Sequence, residues 1–198
     1  MEGIPKTEVY SLLLLSILIV VFLWYDRWRM VYIKAELDGR AYLVRNISDK
    51  KRAANLLAII RQRLQTLVEK VGEGLGSYPP VRKAYVSRLL TYGQKTLFRE
   101  NNKSSTFTSY TVNKGEEMVF CLRSKKSLEY LHDLNLLMYV AVHELAHVAC
   151  PEIGHTPLFN AVFRFLLREA IKLKLYEKVD YSSSSKEYCG KVISTSIL

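Results

Sequence analysis

The sequence predicts an α+β fold, and three observations lead there. Two strand-like runs within 30–45 flank an Asp38-Gly39 pair, a strong hairpin signal because a tight type I′ turn needs positive φ. Apolar residues then recur at helical spacing between Lys51 and Val71. Two further strand-like segments, 109–112 and 118–122, stand before a long apolar stretch that Pro151 must end. With 198 residues, 49% of them hydrophobic, the chain supports one domain with a real core, and no internal repeat is visible.

The first element is set apart from that core. Residues 1–8 read as a short tail, and residues 9–25, VYSLLLLSILIVVFLWY, carry no charge. As a helix this run spans roughly 25 Å, near the thickness of a hydrocarbon layer of about 30 Å. Trp24, Tyr25, Arg27, Trp28 and Arg29 suit an interfacial belt. A small-residue cleavage site is missing, so the expectation is an uncleaved transmembrane anchor rather than a signal peptide. The excess of Arg27, Arg29, Lys34, Arg40 and Arg45 after the span then places residues 26–198 on the cytosolic side. Cys121, Cys150 and Cys189 are odd in number and widely spaced, with no CxxC. They read as unpaired thiols of a reducing compartment, where the sequons at Asn46 and Asn102 stay unmodified.

Within 26–198, Ser48 or Asp49 is expected to cap a helix over Lys51–Val71, with Leu56, Leu57, Ile60, Leu64, Leu67 and Val68 as its apolar face. Gly72 to Pro80 reads as a loop and Val81–Leu90 as a second helix. Asn101–Thr106 is polar and expected to be exposed. Asn113-Lys114-Gly115 joins the strands 109–112 and 118–122 as a hairpin. Ser127 is expected to cap a long helix, Leu128–Ala149, that Pro151 ends. Thr156 and Pro157 open the next, Leu158–Leu175, whose stripe includes Phe159, Val162, Phe163 and Leu166. Tyr188–Ser194 reads as a last short strand.

The chemistry lies on the long helix. His143-Glu144-Leu145-Ala146-His147 sets two imidazoles four residues apart, hence on one face, where they can hold one metal ion together. Glu144 sits beside them, able to take a proton from a water held by that ion. A catalytic zinc takes three protein ligands and keeps a fourth position open. His155 is the first choice for the third, because Gly154 lets the chain fold back after Pro151. Glu169 and then Glu152 are the alternatives. Cys150 reads as a buried, inert thiol, and His132, about 16 Å away along such a helix, cannot share the ion. Strand Met118–Leu122 is expected to pair with an extended peptide substrate. Tyr181 and Tyr188 are candidates to stabilise an oxyanion.

These residues resemble a family. His143-Glu144-Leu145-Ala146-His147 followed by Gly154-His155 and Phe159 is similar to the HELxH and H-xxx-F pattern of WLM and SprT-like zincin metallopeptidases. The resemblance covers about 118–175 and implies a zincin fold, one Zn2+ held by His143, His147 and His155, Glu144 as base, and a protein or peptide substrate. Members of those families are associated with proteolysis of proteins crosslinked to DNA. The interval from second to third histidine is longer here than the compact WLM spacing. The layout of an anchor and a small metallopeptidase-like domain also resembles uncharacterised proteins of large DNA viruses, which implies a virion or an internal host membrane.

The leading expectation is therefore a membrane-anchored zinc endopeptidase. One alternative is a catalytically idle anchored module whose zinc is structural, and whose basic surface (net charge +10) binds lipid, nucleic acid or a virion component. Another is a zinc hydrolase of non-peptide bonds. The charge is compatible with nucleic acid, but no aromatic-interleaved basic motif supports it.

Overall fold

The computed structural model describes residues 6–93, 95–125 and 130–198, with residues 6 and 23–28 described by their backbone alone. Helix α1 (Lys6–Trp28) leads into strands β1 (Met30–Lys34) and β2 (Ala41–Arg45), then helices α2 (Lys50–Glu73) and α3 (Pro80–Tyr92), separated by a single 3₁₀ turn at Leu75–Ser77. Strands β3 (Leu97–Glu100), β4 (Tyr110–Val112) and β5 (Glu117–Phe120) follow, then helices α4 (Leu134–Ala149) and α5 (Pro157–Lys172), and a final hairpin of β6 (Lys186–Tyr188) and β7 (Lys191–Ile193). This is the α+β fold the sequence predicts.

The large sheet has five strands in the order β1-β2-β3-β5-β4. β3, which sequence reading missed, is its centre, pairing parallel to both β2 and β5. β4 runs antiparallel to β5, with Thr111 opposite Met118, and ends the sheet. Strand β5 is therefore flanked on both sides, and the expectation that 118–122 pairs with substrate is corrected: β4 is the edge. The first hairpin turns at Gly39 (φ 66°), but Ala35 and Arg40 already bond across it, so the connection is longer than two residues. Asp38 shapes it by accepting from the Arg40 amide at 3.0 Å and the Tyr42 hydroxyl at 2.6 Å.

Helix α4 is the spine of the core. Leu136, Leu137, Met138, Ala141, Val142, Leu145, Ala146, Val148 and Ala149 are all buried. A helix apolar on every side must be covered on every side. α2, α3, α5 and β4 do so, each large apolar side chain contributing roughly 1.5–3 kcal/mol by leaving water. The helix starts at Leu134, where Asp133 caps it by accepting from the Leu136 amide at 2.9 Å. The cap expected at Ser127 and a start at Leu128 lie outside the described residues. Thr156 caps α5 as expected, accepting from the Phe159 amide at 3.2 Å.

At one end of the sheet a set of charged groups is buried. Arg123 donates to Glu100 at 2.7 Å and to Asp49, and Glu100 also accepts from the Arg45 amide at 2.7 Å. Arg45 Nε donates to the Asn101 carbonyl at 2.9 Å. Asp49 occupies the α2 cap position the sequence assigns it but makes no cap bond, since its carboxylate is turned to Arg123. Asn101, expected to be exposed, is buried and donates to the Phe107 and Thr108 carbonyls at the approach to β4.

Two further expectations are overturned. Among the described residues no helix is long and apolar enough to cross a membrane. The uncharged run 9–25 covers only about 25 Å as a helix, short of a hydrocarbon layer of about 30 Å. The side chains of the expected belt at Trp24, Tyr25, Arg27 and Trp28 lie outside the described residues. The single-pass placement with a cytosolic domain falls with the anchor. The cysteines are also not all free: Cys121 and Cys189 form a disulfide across 68 residues, and Cys150 is free and buried. Wide spacing is no bar to pairing, because the β6–β7 hairpin returns to the end of β5. Closing a loop of that length stabilises a fold by about 4 kcal/mol in the chain-entropy picture. The inference of a reducing compartment, which needed unpaired thiols, loses its basis.

Candidate metal centre and active-site cleft

His143 and His147 lie one turn apart on the C-terminal half of α4, their ring centroids 4.9 Å apart. The helix stops at Ala149, and Gly154 (φ 82°) turns the loop back so that His155 reaches them. His155 Nε2 stands 3.0 Å from His143 Nε2, and one ring nitrogen from each of the three histidines lies within 4.8 Å of the others. Among the described residues no other His, Cys, Asp or Glu joins this group. Glu152 instead accepts from the Thr156 hydroxyl, and Glu169 pairs with Lys172 at 2.7 Å. Cys150 also lies outside it. His132 precedes α4 rather than riding on it; it accepts from the Cys189 amide at 3.3 Å and packs on the Tyr188 ring.

Rings from α5 wall the imidazoles. Phe159 stacks on His147 with centroids 4.2 Å apart and planes inclined by 27°, and Phe163 meets His143 edge-on at 5.1 Å. The stripe read as core is core, and it also dries one side of the site. Burial holds His143 down to about 3 and His147 to about 4, with the neighbouring imidazoles pushing the same way and Lys114 adding to the effect at His147. At neutral pH these rings are unprotonated bases. Neutral imidazole nitrogens converging at this separation, with no carboxylate among them, fit a divalent zinc ion.

Glu144 lines the same cleft, bonds to β4 through Thr111, and is 4% exposed. Burial pushes its carboxyl up to about 7, and a hydrogen bond from Thr111 pulls the other way. Thr111 Oγ1 lies 2.9 Å from Glu144 Oε2 and 3.3 Å from the Glu144 carbonyl. Sequence reading placed Thr111 in the strand-like segment 109–112 but gave it no role; its only signal is its place in the strand that ends the sheet.

These groups lie along a cleft of about 750 Å³. The stretches Thr108–Thr111 and Lys191–Thr195 line its walls, and Tyr188 contributes where it bonds to Ser109. Consecutive rather than alternate residues line each wall, so the strands present their edges to the cleft and not their faces. Ile153, 89% exposed, stands on the rim beside His155. Lys114 ties the β4–β5 turn to the end of α4, donating to the Cys150 carbonyl at 3.0 Å and the Glu152 carbonyl at 2.7 Å. Gly115 (φ 118°) is needed in that turn, since a Cβ there would stand 2.9 Å from Val148.

Of the two tyrosine candidates, Tyr188 reaches the cleft. It shares a hydrogen bond with Ser109, and the disulfide holds its neighbour Cys189. Tyr181 is buried against Tyr139 and Tyr176, away from the lining.

No family model matches the sequence. It is 41% identical over 167 residues, 84% of each chain, to "Uncharacterized protein R325" of Acanthamoeba polyphaga mimivirus. It is 30% identical over 147 residues to "Uncharacterized protein 136R" of Invertebrate iridescent virus 6, covering 72% of this chain and 75% of that one. These relatives are viral, as the layout implied. Among solved structures, a Wss1 mutant from Saccharomyces cerevisiae is similar with a TM-score of 0.50 at 17% identity, covering 67% of this chain and 92% of that one. That likeness is one of fold.

Proposed function

Starting from a chain that belongs to the family of viral proteins including R325 of Acanthamoeba polyphaga mimivirus, we propose that its cleft is the active site of a zinc-dependent peptidase. One observation carries this: three imidazoles converge in a cleft that also holds a buried carboxylate and is walled by a free strand edge. The Wss1-like fold and the sequence resemblance to WLM metallopeptidases point the same way.

His143, His147 and His155 would hold the ion. Zinc so held supplies a Lewis acid for the scissile carbonyl and makes water a nucleophile near neutral pH. Glu144 would take a proton from the attacking water and return it to the departing amine, a role suited to a carboxylate placed in the same cleft. The outer side of β4 accepts an extended segment of substrate by strand addition, which aligns the scissile bond with Glu144. Tyr188 also lines the cleft, its hydroxyl bonded to Ser109, and is a candidate partner for the developing oxyanion.

The test compares the zinc-loaded full chain with Glu144→Gln on unfolded casein and on a mixed peptide library. Cleavage that falls at least about a thousandfold in the variant, with zinc still bound, is the expected result. Stoichiometric zinc without any Glu144-dependent cleavage would make the module catalytically idle. Hydrolysis confined to small esters or amides would assign it to non-peptide bonds.

A further inference from the structure

We propose that Thr111 is a positioning residue of this site, holding one oxygen of the Glu144 carboxylate so that the other is free to meet the attacking water. The inference rests on the reading of Glu144 as the base. Glu144 is almost wholly buried, so water does not fix the orientation of its carboxylate. Thr111 Oγ1 does, at 2.9 Å from Oε2. The hydroxyl has one proton and two acceptors in reach, the carboxylate and the Glu144 carbonyl at 3.3 Å. The shorter contact is to the charged acceptor, the stronger of the two. Oε2 is thereby committed, and Oε1 is left for proton transfer.

The position of Thr111 adds a second consequence. It belongs to β4, the strand that ends the sheet, and it lies opposite Met118 with the strand edge along the cleft. The residue that orients the base is thus part of the strand on which an extended substrate would pair. Register of the substrate backbone and aim of the base are set by the same residue, so a shift of β4 disturbs both together.

Two pairs of variants isolate the hydroxyl. Thr111→Val keeps the shape and removes the oxygen; Thr111→Ser keeps the oxygen and Thr111→Ala loses it. On a peptide cut by the parent chain, Val and Ala are expected to lower kcat about tenfold to a hundredfold with KM within about twofold, matching loss of one hydrogen bond to a charged group. Thr111→Ser is expected to restore most of the rate. Zinc affinity, read by titration without substrate, should be unchanged in all three. A peptide hydroxamate, chosen because it offers a hydroxyl to the same carboxylate, should bind about tenfold more weakly to Val and Ala than to Ser. Equal kcat in Val and the parent, or equal losses in Ser and Ala, would overturn the role while leaving Glu144 as base if Glu144→Gln is inactive. Full activity of Glu144→Gln would instead remove the reading beneath it.

Discussion

Two groups of polar side chains, one buried at the end of the sheet and one opening on the cleft, are built on opposite terms. At the end of the sheet, Arg123, Glu100, Asp49 and Arg45 bring two cations to two anions from β2, β3 and the segments flanking α2 and β5. Of the fully buried side-chain atoms in that group, Arg123 Nη2 and Asp49 Oδ1 are left without a partner. At the end of α4, three imidazoles meet with no acid among them, their nitrogens turned toward one another. Burial keeps His143 and His147 from taking up the proton that would resolve the contact. A set of charges that answers itself holds a fold together. A set of bases that answers nothing asks for a cation from outside.

The largest effect should come from breaking the self-contained group. Removing one member of a buried ion pair strands the others, at a cost of about 3–5 kcal/mol. Arg123→Ala is expected to lose stability of that size in chemical denaturation of the metal-free chain, with zinc stoichiometry retained in the folded fraction. A loss below about 1 kcal/mol would show that the group is not the clamp its bonds suggest. The histidine cluster should behave in the reverse way. His155 is exposed on a loop, so His155→Ala should leave the metal-free chain nearly as stable while removing the zinc.

A smaller effect separates the groups by pH. The Glu144 carboxyl, raised from about 4.5 to about 7, keeps in the folded chain a proton that the unfolded chain has lost. Its stabilising contribution is complete below about pH 4.5 and is lost as pH rises through 7. The metal-free Glu144→Gln chain should therefore be more stable than the parent above pH 7, by up to about 3 kcal/mol, and equal to it below pH 4.5. His143 and His147 act in the opposite sense: the unfolded chain takes up protons near pH 6.5 that the folded one refuses until about 3 to 4. They destabilise both proteins alike as pH falls through that window, so they cancel in the comparison. A stability difference that does not vary with pH would contradict the burial assigned to Glu144.

What could be read in the sequence follows from how local each signal is. His143, Glu144 and His147 needed only the periodicity of a helix, and His155 only the stop at Pro151 and the freedom of Gly154. Thr156 and Pro157 announced α5 by the same short-range rules. The pairing of Cys121 with Cys189 joins residues 68 apart through a hairpin whose docking no local pattern encodes. β3 is short and central, and its parallel partners come from either side of α2, α3 and β4. Missing it made β5 look like an edge and hid Thr111. Asp49 shows a subtler limit: the cap position was legible, but the pull of Arg123 on its carboxylate was not.

The most direct test of the account is a zinc titration of the metal-free full chain followed by X-ray absorption at the zinc edge. One ion per chain is expected, with three nitrogen ligands at about 2.0–2.1 Å and one oxygen donor from solvent, and with binding abolished in His155→Ala. Absence of stoichiometric zinc would contradict it, as would a fourth ligand from the protein, such as a sulfur at about 2.3 Å from Cys150.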